Sequence, residues 1–188
     1  MPWYRIEGKL ETPMTEIEFA EGMNQGHFVR RSHRAYPVLL YYTAIRNGEG
    51  IKALREQFKL MPDHLLFDVG ERLKHSKRTP SLPIPLESPF VKELEDVILA
   101  TPKGKRVFPF TTRTGYRVVR RAFKYPHYFR LSRITWFFMP HPELDRPAGF
   151  SIAEVRNWTG LSLKALDYYV GLVSIQKMGE SLLPKKRS

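Results

Sequence analysis

From Arg31 to about Arg46 the apolar residues Ala35, Val38, Leu39, Tyr42 and Ile45 recur at intervals of three and four, the spacing that lines one face of an α-helix. A face that apolar must be buried, so this segment becomes the core helix against which the rest of the chain packs. Pro37 either kinks it or marks its first turn. The same period returns after Ser88-Pro89, an N-cap followed by proline, with Phe90, Leu94, Val97 and Ile98 on one side. It appears again from Thr111 to Phe123, with Val119 and Phe123 inward, and from about His127 to Met139. Thr15-Glu16-Ile17-Glu18 and Ser151-Ile152-Ala153-Glu154 are capping boxes that start two further helices, the second running to Trp158. A short helix is expected over Ile51 to Phe58, and a last one from Ser162 towards Met178.

Two segments depart from this period. Leu65-Leu66-Phe67-Asp68-Val69-Gly70 reads as a strand ending in a turn, and Leu82 to Leu86 as its partner. The basic stretch Arg72 to Arg78 lies between them, so a hairpin would carry its lysines on or beside the turn. The expected fold class is therefore mainly α with a small antiparallel β-sheet, an α+β arrangement. One compact domain is expected over residues 15–180, with an N-terminal extension over 1–14 and a basic tail over 181–188 that includes Lys185-Lys186-Arg187. No separate N-terminal domain is expected ahead of residue 15.

Lys and Arg outnumber Asp and Glu 31 to 19, a formal charge of +12 that points to a polyanionic partner. A bilayer is the weakest candidate, because the longest apolar runs, Val38 to Tyr42 and Ile134 to Met139, are far too short to span one. The N-terminus has no basic region followed by an apolar stretch and small cleavage residues, so an intracellular protein is expected. With no cysteine, disulfides, thiolate metal sites and a cysteine nucleophile are excluded. The six histidines show no metal-ligand spacing, and Thr101-Pro102-Lys103-Gly104-Lys105 is not a phosphate-binding Walker loop. Neither a metal nor another cofactor is expected.

The positive charge is concentrated. Arg113, Arg117, Arg120, Arg121, Lys124, Arg130 and Arg133 fall between Arg113 and Arg133 with no acidic residue among them. Tyr116, Phe123, Tyr125 and Tyr128 are interleaved, so cations for phosphates alternate with rings for sugars or bases. Contacts of this kind fit nucleic acid without naming a sequence.

Breaking a phosphodiester without a metal needs a nucleophile, cations for the charge on the non-bridging oxygens, and an acid for the departing hydroxyl. Arg46 follows Tyr41-Tyr42-Thr43-Ala44-Ile45, and Glu49 stands where it can hold the guanidinium. His127-Tyr128-Phe129-Arg130 places an imidazole and a second guanidinium on one helical face. Tyr168-Tyr169 supplies a phenol. Each feature alone is common on basic helical proteins; their order together is not.

That order resembles the catalytic domain of the tyrosine recombinases, whose pattern is Arg-x-x-Glu, a hairpin lysine, His-x-x-Arg and a late tyrosine. The resemblance covers nearly everything from Thr15 to about Met178. Tyr42-Thr43-Ala44-Ile45-Arg46-Asn47-Gly48-Glu49 is similar to the family's first box, Tyr-Thr-Gly-x-Arg-x-x-Glu, without its glycine. The resemblance implies a DNA breaking-rejoining enzyme fold, with Arg46 and Arg130 as the catalytic arginines, Glu49 supporting, and His127 as a proton-transfer or phosphate-binding group. It implies Lys77, or alternatively Lys74, as the hairpin lysine that protonates the leaving oxygen. Tyr169 is favoured as nucleophile because the following Val170-Gly171 resembles the family's ending, with Tyr168 as the alternative. The family places His or Trp after a glycine shortly before the tyrosine, whereas Gly160 is followed here by Leu161, leaving Trp158 as an alternative donor.

What the resemblance implies for activity is cleavage and rejoining of double-stranded DNA through a 3′-phosphotyrosine, independent of ATP and metal, in DNA integration or recombination. It also implies self-association on DNA as a dimer or tetramer, to which a helix over Val170 to Met178 could contribute by docking on a neighbour; packing in its own core is the other expectation. Two other classes remain open: a non-catalytic DNA-binding relative, and a type IB topoisomerase-like relaxing enzyme.

Overall fold

The computed structural model describes residues 13–69, 81–140, 149–167 and 169–170. The periodic segment becomes helix α2, Arg31–Thr43, in which every residue from Ala35 to Thr43 is buried. It packs against α4 (Val91–Ala100), α5 (Thr112–Val119) and α6 (Pro126–Phe137). Pro37 lies inside the helix, not in its first turn, and its missing N–H cannot reach the His33 carbonyl. Helix α1, Glu16–Gln25, starts at the capping box expected of Thr15 and Glu18. It closes one end of the core by stacking Phe19 on Tyr41 at 4.0 Å and on Phe123 at 5.6 Å.

Three strands form an antiparallel sheet in the order β1 (Phe58–Leu60), β2 (His64–Asp68), β3 (Ser81–Pro85). The β2–β3 pairing is the expected one, with Leu65 opposite Ile84 and Phe67 opposite Leu82, all four buried. Pro83 and Pro85 sit on β3, which pairs only with β2 among the described residues, and proline is tolerated on such an edge. The basic turn over Arg72 to Arg78 lies outside the described residues.

Three local expectations are corrected. No helix spans Ile51 to Phe58; a four-residue helix α3, Asn47–Gly50, comes before it, then a 3-10 turn over Arg55–Gln57, and Phe58 opens β1. The backbone here is satisfied across the molecule, Arg55 N–H donating to Lys105 O at 3.0 Å and Val107 N–H to Ala53 O at 3.0 Å. Helix α4 begins at Val91, capped by Phe90 in the left-handed region (φ 65°), not by Ser88. Its ring stands against Phe19 and under the Arg34 guanidinium, contacts that hold it there. Helix α5 stops at Val119, and residues 120–124 turn the chain towards α6. Helix α7, Ile152–Thr159, starts at the second capping box, and residues 163–167, 169 and 170 are helical. Among the described residues no helix is long and apolar enough to cross a membrane.

Candidate active site

The first arginine is placed by a sharp turn. Helix α2 ends at Ala44, which takes a left-handed conformation (φ 53°), and Arg46 becomes the N-cap of α3. Ala44 stands where the resembling family carries glycine, the residue that adopts this backbone without strain. Glu49 then clasps Arg46 twice: one carboxylate oxygen accepts the Arg46 backbone N–H at 2.7 Å, the other its Nη1 at 2.8 Å. Glu49 is 4% exposed and the Arg46 side chain 39%. The carboxylate is thus the buried anchor, and the guanidinium keeps an open face.

Arg130 has the opposite setting, 2% exposed on the inner side of α6. Its Nη1 donates to the Ala44 carbonyl and its Nη2 to the Thr159 carbonyl at 2.9 Å. One side chain therefore ties the C-terminal ends of α2 and α7 together, and both carbonyls belong to helix ends whose partial charge is negative. His127, one turn earlier on α6, is pushed down to about 4 by burial and by the nearby charges of Arg130 and Arg46. The two arginines, far apart in sequence, both bear on one imidazole. At neutral pH that imidazole is uncharged.

The turn after α7 completes this side of the site. Gly160 caps the helix at φ 62°, a conformation glycine adopts freely, and Leu161 follows, partly buried against the core. Leu161 has no side-chain donor. The Trp158 ring lies among Phe137 and Phe150, with centroids 5.0 and 5.1 Å away. Tyr169 is described and is 4% exposed, within the core cluster. Lys74, Lys77 and Tyr168 lie outside the described residues.

Beside Arg46 runs a basic groove of about 460 Å³ lined by Asn47, Thr112, Arg113, Tyr116, Arg117 and Arg120. The sequence of α5 explains it: Gly115, Val118 and Val119 face inward, which leaves Arg113, Tyr116, Arg117 and, just past the helix end, Arg120 exposed. Arg121 and Lys124 are also exposed, the latter with its ammonium 4.7 Å from the Tyr128 ring centre. Arg133 does not share this surface. It is half-buried, with its guanidinium 4.0 Å from the Trp136 ring centre, and among the described residues its Nε has no hydrogen-bond partner.

Sequence reasoning missed a second, larger basic groove of about 1090 Å³, which includes Arg30, Arg31, Lys105 and Arg106 and meets the first at Thr112. These cations come from two separated segments, so no single run of charge announced them. It also missed Asn47, which had no signal beyond its place inside Arg-x-x-Glu.

A helical core around α2 with a three-stranded antiparallel sheet is the fold of the tyrosine recombinase catalytic domain. Among solved structures, 93% of the chain superposes on the XerH site-specific recombinase bound to difH substrate in a pre-cleavage complex, with a TM-score of 0.63 and 14% identity. XerA recombinase matches over 99% of the chain with a TM-score of 0.64 and 18% identity, and the Tn1549 transposon integrase in complex with transposon right end DNA over 93%, with 0.57 and 16%. The chain spans 53% of the XerH chain, 68% of XerA and 67% of the Tn1549 integrase structure. No protein-family model and no curated protein sequence matches it.

Proposed function

We propose that this chain cleaves and rejoins DNA strands through a covalent 3′-phosphotyrosine, in recombination or integration. The observation that supports the reading is the bond from Arg130 Nη1 to the Ala44 carbonyl, which brings the second arginine to the turn that carries Arg46; a scissile phosphate needs cations on its non-bridging oxygens and a proton acceptor within reach. In the proposed step the Tyr169 phenolic oxygen attacks phosphorus and loses its proton. The bond to the 5′ oxygen breaks, and Lys77 or Lys74 gives that oxygen a proton, leaving a 3′-phosphotyrosine and a 5′-hydroxyl. Attack by a 5′-hydroxyl on the phosphotyrosine reverses the sequence and joins the strand. His127, uncharged at neutral pH, suits acceptance of the phenol proton. The exposed cations of α5 would hold flanking phosphates of double-stranded DNA; the XerH structure holds its difH substrate and the Tn1549 integrase structure transposon right end DNA.

The test is a library of nicked duplexes with a randomised centre, in which loss of a short fragment traps the covalent species on a denaturing gel. Wild type and Tyr168→Phe are expected to give a protein–DNA adduct, and Tyr169→Phe none. No adduct from wild type, or an adduct surviving both substitutions, would overturn the reading. Two features favour a second one, a DNA-binding relative without chemistry: Leu161 provides no donor where the family has His or Trp, and Tyr169 is buried. That alternative expects binding to the same library with no adduct.

A further inference from the structure

Asn47 occupies one of the two positions between Arg46 and Glu49, and its side chain is hydrogen-bonded to two other elements. Its Oδ1 accepts the Tyr36 hydroxyl at 2.6 Å, and its backbone carbonyl accepts the same hydroxyl at 2.8 Å. Its Nδ2 donates to the Thr112 carbonyl at 3.1 Å, on the first residue of α5. Tyr36 is fully buried in α2, and burial raises its pKa, so the hydroxyl stays a donor. Asn47 thus joins three elements: the core helix, the turn carrying Arg46, and the helix carrying the exposed cations.

Packing makes the joint tight. A methyl group placed on Gly115 of α5 would lie 2.9 Å from Asn47 Oδ1 and 3.2 Å from a Tyr36 ring carbon. Only glycine lets α5 approach this closely. The groove formed by Arg113, Tyr116, Arg117 and Arg120 is therefore fixed relative to Arg46 through one amide and one phenol, and Asn47 itself lines that groove.

We infer that Asn47, held by Tyr36, is a positioning residue for Arg46: it sets the guanidinium against the phosphate that the α5 cations deliver. The inference rests on the strand-cleavage reading above. Arg46 would then act on a non-bridging oxygen whose charge is fixed in space, and displacement of the turn by a fraction of an ångström would weaken the chemistry while leaving DNA held.

The experiment uses the full chain and the nicked duplex recovered from the wild-type adduct. For Asn47→Ala, the single-turnover cleavage rate is expected to fall by about tenfold or more, while Kd for the duplex stays within about twofold. Tyr36→Phe, which removes only the hydroxyl, is expected to lower the rate in the same direction and serves if Asn47→Ala does not fold. The second readout is a duplex with a methylphosphonate at the scissile position, where a methyl replaces one charged oxygen and less charge is left for Arg46 to neutralise. Both defects should shrink on that substrate. An unchanged rate, a matching loss of affinity, or a defect of equal size on the methylphosphonate overturns the role of Asn47. No adduct from wild type would instead remove the cleavage reading itself, and the inference with it.

Discussion

Arg46 and Arg130 carry the same side chain in opposite surroundings, and a conservative change separates their duties. Arg130 satisfies two carbonyls at helix ends while 2% exposed, so Arg130→Lys would leave a buried acceptor without its donor. A loss of about 2 kcal/mol in folding stability is expected, against less than about 1 kcal/mol for the partly exposed Arg46→Lys. Urea midpoints of the two variants check this, and equal midpoints would contradict it. His127 adds a pH dependence. Its pKa is held near 4, below the ordinary 6.5, so between those values the unfolded chain binds a proton that the folded chain refuses. Stability therefore falls as the pH drops through that window and levels out below about 4, by up to about 3 kcal/mol. His127→Gln is expected to flatten the urea midpoint against pH over that range. A smaller slope of the same sign remains from His33, whose pKa is lowered by burial and by Arg121 and Arg30.

Among elements, α5 combines close packing on one face with exposed positive charge on the other. Gly115→Ala raises intrinsic helix propensity by about 1 kcal/mol, yet its methyl would meet Asn47, Tyr36 and Ile51. Overpacking of this kind costs about 1–3 kcal/mol, so a net loss of stability is expected, read as a lower thermal midpoint. A higher midpoint would mean that α5 can shift without cost. Elements whose cause is local were legible in the sequence: the capping boxes at Thr15 and Ser151, the buried face of α2, and the alternation that pairs β2 with β3. Strand β1 was not. Its boundary is set by bonds from Ala53 and Arg55 to the 105–107 segment, and nothing near Phe58 in sequence records them. The start of α4 was obscured for a similar reason, because a phenylalanine at positive φ is stabilised by Phe19 and Arg34 from other helices.

At the scale of the molecule, the candidate site is assembled from the α2–α3 turn, α6 and the end of α7, and the sequence suggested its proposed members through their order more than through any one motif. What order could not disclose was which cations face outward. Arg133 belongs to the same charged run as Arg117 and Arg120, yet its guanidinium rests on Trp136, while theirs line the groove. Counterion release distinguishes the two settings. If Arg113, Arg117, Arg120, Arg121 and Lys124 each meet a phosphate, log affinity for duplex DNA against log salt should have a slope of about −4 to −5, since each phosphate contributes roughly −0.9. Replacing Arg117 and Arg120 by Gln is expected to make that slope shallower by about 2 and to weaken binding alike across unrelated duplexes. Arg133→Gln removes the same unit of charge from the chain but none from the groove, so it should leave the slope unchanged and lower the thermal midpoint. Fluorescence anisotropy over a range of NaCl concentrations measures all three. A wild-type slope near −1, or an Arg133→Gln slope that moves as far as one groove substitution, would mean that DNA lies on a different face of the protein.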